Sequence, residues 1–168
     1  MTIRAFQGGA GCGKTYRLMR TLAESLTDCP LASGQRVLAL TFMHGSRRRL
    51  DDRLRELGHA YECATIDSFA LRVVTRWRSL ADHLGHALPL ETEYGTVCAV
   101  AAALLEQPSV VGWVAASHPI ALLDEAQDLT EERLRIVRAL EARLTLLVAA
   151  DEFQCLNEGL RPNPFCSW

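Results

Sequence analysis

GGAGCGKTY, Gly8 to Tyr16, is the stretch on which the reading of this chain turns. Ahead of it, TIRAFQ (residues 2–7) reads as a short strand. Behind it, Leu18, Leu22 and Leu26 fall at i, i+4 and i+8, one apolar stripe of a helix from Lys14 to about Leu26. A glycine-rich turn between strand and helix lets successive backbone N–H groups curl around a phosphate, and the helix N-terminus adds partial positive charge. Gly9, Ala10, Gly11, Cys12, Gly13, Lys14 and Thr15 are therefore candidate nucleotide-binding residues. Lys14 would bridge the β- and γ-phosphates, and the Thr15 hydroxyl would ligate magnesium. The structural alternative is a plain tight turn, and the strand before and helix after favour the cradle.

The pattern continues outward as strand–helix alternation. RVLALTF (residues 36–42) is a nearly continuous apolar run, as a strand buried on both faces requires. An arginine-rich helix follows over 46–57, then a short strand CATI (63–66) and a helix to about Leu84. Residues 85–94 read as a loop and 96–107 as an alanine-rich helix. PIALLDEA (119–126) is a strand, 131–143 an amphipathic helix and TLLVAAD (145–151) a fifth strand. The expected fold is α/β: an open, mostly parallel central sheet of about five strands with helices on both faces, a three-layer sandwich. In such sheets ligands collect at the C-terminal ends of the strands, where the polar motifs fall.

LLDEAQD (residues 122–128) is the second chemical motif. Apolar residues ending in Asp124 suit a strand whose aspartate holds magnesium through its water shell, and Glu125 is placed to polarise an attacking water. Helix N-capping is the structural alternative. An Asp-Glu pair favours hydrolysis over phosphoryl transfer; a small-molecule kinase would need a lid arginine cluster and no such pair. Gln127 and Asp128 orient the water or pass signals onward, and the sequence does not choose. Gln154, in VAADEFQCL (148–156), reads either as a γ-phosphate contact or as a solvated loop residue.

Bulk properties bound the class. A chain of 168 residues suits one domain, and 49% hydrophobic with 23% charged residues is ordinary for a globular protein. No apolar run reaches the ~20 residues of a membrane span. The absence of an export leader pattern predicts a cytoplasmic protein with no membrane partner. The six cysteines are scattered, with no metal spacing, and read as free thiols. A net charge of −2 does not mark a nucleic-acid binder by itself. Of 18 basic residues only Lys14 is lysine, in the one place where a compact ammonium must reach between phosphates.

The ordered set GGAGCGKT, LALTF, TIDSF, LLDEAQD and AADEFQ resembles motifs I, Ia, Ib, II and III of superfamily 1 helicases of the UvrD/Rep type. DEAQD is the most diagnostic of them. The resemblance covers Gly8 to Gln154 and implies the first RecA-like domain of such a motor, a P-loop NTPase fold. It implies ATP and Mg2+ as ligands, with Lys14, Thr15, Asp124, Glu125 and Gln154 serving them: Glu125, Lys14 and Gln154 in catalysis, Thr15 and Asp124 at the metal. It also implies that Thr41, Phe42, Thr65, Ser68 and Phe69 lie along a path for single-stranded or partly double-stranded DNA. Strand-end hydroxyls can reach phosphates, and an aromatic offers a stacking face to any base. For Phe42 and Phe69 core packing is the alternative; for Arg47, Arg48 and Arg49 it is a solvated face.

Departures from the family pattern are specific. No upstream adenine-clamping glutamine precedes Gly8, so Tyr16 is a candidate to stack on the base. Residues 70–118 look like a reduced helical insertion. Asp67 stands where many members have histidine, His44 replaces an asparagine, and Ala150 a glycine. The chain reads as cut from a longer protein whose second RecA-like domain would supply arginines across the cleft. The expected function is the ATP-hydrolysing part of a DNA-unwinding motor, with a non-unwinding regulatory or defence ATPase as the alternative.

Overall fold

The computed structural model describes residues 2–9, 12–42, 44–87 and 92–151. Five strands form one parallel sheet: β1 (Ile3–Gln7), β2 (Val37–Thr41), β3 (Tyr61–Thr65), β4 (Ile120–Leu123) and β5 (Thr145–Ala150). Their order across the sheet is β1-β5-β4-β2-β3. The helices are α1 (Lys14–Asp28), α2 (His44–Glu56), α3 (Ile66–Arg76), α4 (Arg78–His83), α5 (Tyr94–Leu105), α6 (Pro108–Ser117) and α7 (Glu131–Glu141). This is the expected α/β sandwich of the RecA-like type.

Side-chain alternation sorts the core into two halves. On β2, Val37 and Ala39 face the layer that holds Leu18 and Leu22 of α1 and Leu50 and Leu54 of α2. Leu38 and Leu40 face the opposite layer, with Val73 of α3, Leu104 of α5 and Val137 of α7. β4 and β5 repeat the division, with Leu122 and Leu147 on the first side and Leu123 and Val148 on the second. Burial on both faces explains why these strands read as unbroken apolar runs.

The segment of about 70–118, expected as a reduced helical insertion, is helical among its described residues. α5 is apolar all round, with Val97, Ala101, Leu104 and Leu105 buried, and it packs against both α3 and α7. Its helices are thus the third layer of the sandwich itself. α6 was not expected as a helix; Pro108 in its first turn starts it, and Gly112 with few polar residues leaves no amphipathic period. The helix expected to run to Leu84 divides at Trp77, whose φ of −110° closes α3 before α4 begins. Ile66, expected in a strand, opens α3 instead because Thr65 caps that helix.

Among the described residues no single helix is long and apolar enough to cross a membrane. The most apolar pair, α5 and α6, is bent by 93°. Both helices bury their apolar side chains in the core just described.

Leu104 of α5 lies at 0% exposure in the core between the sheet and its helices. Leu104→Ala is expected to lower unfolding free energy by about 2–5 kcal/mol, read as a reduced urea midpoint with an unchanged m-value.

Candidate functional site

The C-terminal ends of β1, β4 and β5 carry the polar groups that the sequence singled out. β5 lies between β1 and β4. With strands ~4.8 Å apart, the glycine turn and the acidic strand end therefore stand about 10 Å from each other. That span has room for a phosphate chain and a hydrated cation between them.

On the β1 side, Gly13 adopts the left-handed conformation (φ 80°, ψ 20°) and caps the N-terminus of α1. No acidic residue occupies the first turn of α1, so its positive dipole end is left for an external anion. Gly8 is needed for close approach: a Cβ there would meet Cys12 Sγ at 2.5 Å. The Lys14 ammonium donates to the carbonyls of Gly8 and, at 2.8 Å, Gly9. It also donates to Asp151 Oδ2 at 2.9 Å. Gly9, Cys12, Gly13, Lys14 and Thr15 thus sit together at the turn, and Tyr16 is 67% exposed beside them. Ala10, Gly11 and Gln154, also expected at this site, lie outside the described residues.

On the β4 side, Asp124 continues the ladder by donating its N–H to Leu40 O at 3.1 Å. Burial raises its carboxyl pKa, and the charge of adjacent Glu125 raises it further. The Glu125 N–H, bonded to Asp124 Oδ1 at 3.1 Å, and the charges of Arg49 and Lys14 act in the other direction. A buried carboxylate beside a second one is a natural seat for a hard divalent cation, which takes oxygen ligands and retains water. Among the described residues no three His, Cys, Asp or Glu side chains cluster as a metal site. Magnesium here would be held by Asp124 and Thr15, with its remaining ligands from phosphate and water. The residues present fit it.

Glu125 is the backbone outlier of the site. At φ 61° and ψ 45° it is the non-glycine residue with positive φ among the described residues. A glutamate pays roughly 1–2 kcal/mol to sit there. The strain turns the chain from β4 into the 3-10 turn Ala126–Asp128 and fixes where the Glu125 side chain departs. In that turn Gln127 is 4% exposed. Its Oε1 accepts the Asp151 N–H at 2.9 Å, and its Nε2 donates to Asp128 Oδ2 at 3.3 Å. Gln127 therefore joins the ends of β4 and β5.

The expected DNA-path residues divide. Phe42 at the end of β2 is partly exposed, and Ser68 on α3 is exposed. Thr41 is fully buried, and Phe69 at 4% packs in the core beside Val73, so neither offers a contact surface. Thr65 is buried as well. Its hydroxyl accepts the Ser68 N–H at 3.2 Å and donates to Ser68 Oγ at 2.8 Å, a buried helix cap.

Two residues at this end were given no role of their own by the sequence. Asp151 was read as the end of a strand and as part of AADEFQ. Arg133, on α7, stacks its guanidinium 5.3 Å from the centre of the Phe42 ring. Its Nε donates to Asp67 Oδ1 at 2.8 Å and its Nη1 to Thr130 Oγ1 at 3.1 Å. Asp67 also accepts from Cys98 Sγ at 3.3 Å. Burial first, then the Asp67 charge, pushes the Cys98 thiol up to about 12. Asp67, at the position where a histidine was expected, is thus the anchor for the arginine that backs Phe42.

A family model for an AAA domain matches residues 2–160 of this chain. No curated protein matches it.

Two outcomes follow from the acidic strand end. Glu125→Gly is expected to raise unfolding stability by roughly 1 kcal/mol in urea titration, because glycine accepts the left-handed backbone freely. For Asp124 the folded carboxyl pKa lies above its ordinary value of 3.8, so the folded state holds the proton more tightly than the unfolded one. Stability is then favoured below that value and lost as pH rises through the folded pKa. Asp124→Asn, which keeps the acceptor for Glu125, should be the more stable protein at pH 7, with the advantage vanishing by about pH 3, as thermal unfolding across that range would report.

Proposed function

The chain belongs to the AAA domain family, and on that premise we propose that it is the ATP-binding motor domain of a UvrD-like superfamily 1 DNA helicase. Membership makes it a P-loop ATPase domain, a class that generally binds ATP with Mg2+. The observation that carries the finer reading is the junction of three separated motifs on one lysine. Lys14 of the glycine turn bonds Asp151 after β5, and Asp151 bonds Gln127 of DEAQD. A small-molecule kinase has no use for a glutamine that ties its acidic strand end to a neighbouring strand. A motor has one, because changes at the phosphates must reach other parts of the fold.

The roles of the chain's own groups follow from their positions. Inward N–H groups of the glycine turn and the positive end of α1 hold the phosphate chain. Lys14 balances charge at the transferred phosphate, and Glu125, aimed by its strained backbone, accepts a proton from the attacking water. When bound, magnesium neutralises phosphate charge and polarises the bond to be broken. Phe42, backed by Arg133, offers an aromatic face for a base, and Ser68 a hydroxyl for a backbone phosphate. Arginines from a second RecA-like lobe complete the site; such residues contribute ~10³–10⁵ in turnover. The non-unwinding regulatory or defence ATPase shares all of this except coupling to strand separation.

Binding can be tested on the chain itself. Cys12 is exposed inside the turn and Cys29 is exposed at the far end of α1. ATP should protect Cys12, and not Cys29, from alkylation mapped by mass spectrometry, and Lys14→Ala should raise the ATP concentration needed for protection. Cys98 should stay unmodified at neutral pH throughout. The motor reading is tested by joining the chain to its second lobe. Single-stranded DNA should then stimulate hydrolysis, and Glu125→Gln should cost at least ~100-fold. Strand displacement supports unwinding; DNA stimulation without it supports the regulatory ATPase. Robust DNA-stimulated turnover by the 168-residue chain alone overturns the need for a second lobe.

A further inference from the structure

Lys14 is the one lysine in the chain, and an ammonium has three N–H donors. All three are engaged, by the carbonyls of Gly8 and Gly9 and by Asp151 Oδ2. Two of those acceptors belong to the turn whose N–H groups must face inward to hold a phosphate. The third is a carboxylate whose side chain is only 5% exposed. Asp151 is not free to drift, because Gln127 holds its backbone N–H from the turn that follows Asp124. A phosphate oxygen engaging Lys14 must therefore displace an existing partner. A carboxylate fixed beside that ammonium also repels the incoming anion.

We propose that Asp151 is a counter-ion gate on the P-loop lysine: anchored by Gln127, it competes with nucleotide phosphate for the Lys14 ammonium and so sets the affinity for nucleoside di- and triphosphates. The inference deepens the nucleotide-site reading above and rests on it. Asp151 is a positioning residue that acts through Lys14. Phosphate binding releases the carboxylate, while the Gln127 bond keeps the Asp151 backbone beside the turn that follows Asp124, poised to take the ammonium back when the phosphate leaves.

Equilibrium binding of a fluorescent ADP analogue to the full chain, with its Asp151→Asn variant, tests the gate. Removing the competing charge should tighten binding about tenfold. The gain should vanish in a Lys14→Ala background, since the effect acts through that lysine; a merely structural residue would give neither result. Unchanged or weaker binding in Asp151→Asn overturns the gate, and weaker binding that tracks magnesium concentration would make Asp151 part of the cation's water shell instead. A gain that persists without Lys14 also overturns it. Failure of the unsubstituted chain to bind the analogue removes the nucleotide-site reading and the gate together.

A second measurement needs no variant. A zero-length carbodiimide joins an amine to a carboxylate in contact, forming an amide with loss of water, and the single lysine makes the product unambiguous. Peptide mapping should find Lys14 joined to Asp151, with the yield falling severalfold when ADP is added. No such link, or a yield indifferent to ADP under conditions where the analogue binds, overturns the proposal.

Discussion

The constraint on which the rest depends is that the middle of the sheet is dry on both faces. β2 and β4 are buried at every position, and β5 at every position after Thr145. Backbone N–H and C=O groups there have no water, so each strand must be flanked by others that complete the ladder. Apolar side chains fill both faces, and polar groups are tolerated only where a strand runs out. Phe42, Asp124 and Asp151 all stand just past such ends. The site lies where it does because the sheet excludes polar chemistry everywhere else.

Two side chains then bind the strand ends to one another. Gln127 spans β4 and β5 through an amide that donates at one end and accepts at the other. Arg133 does the same for β2, α3 and α7 through Phe42, Asp67 and Thr130. For Arg133 burial works against the charge, and the bond to Asp67 followed by its negative charge outweighs it, so the guanidinium pKa is raised. Networks in which each member has its partner stiffen a site, and a change at one member is felt by the others. The strain at Glu125 persists within this frame because the ladder bond from Asp124 N–H fixes the residue before it and the 3-10 turn fixes those after it.

Local signals made most of the architecture legible. Continuous apolar runs marked β2, β4 and β5 because both faces are covered, and the leucine stripe marked α1 because one face is. The glycine turn and DEAQD carried their chemistry in adjacent residues. What escaped were features made by distance. Lys14 and Asp151 are 137 positions apart, and Asp67 and Arg133 66 apart, so no spacing rule could pair them. Thr41 and Phe69 were credited with surface roles that follow only if a strand end and a helix face point outward; the neighbouring layers cover both. α6 was missed because its sequence is apolar on every side, which hides a period, although Pro108 marked its start.

The sheet register also bears on the order in which the chain can assemble. β2, β3 and β4 pair among themselves within residues 37–123, before β5 adds to the free side of β4. Among the described residues β1 pairs with β5 alone, Ile3 opposite Leu146, so about 140 residues follow β1 before its neighbour is made. Closing so long a loop is slow compared with local pairing. During synthesis the glycine turn therefore waits, tethered to an unpaired strand, while the middle of the domain takes shape. The phosphate cradle, made well before β5, is the last part of the described sheet to gain its support.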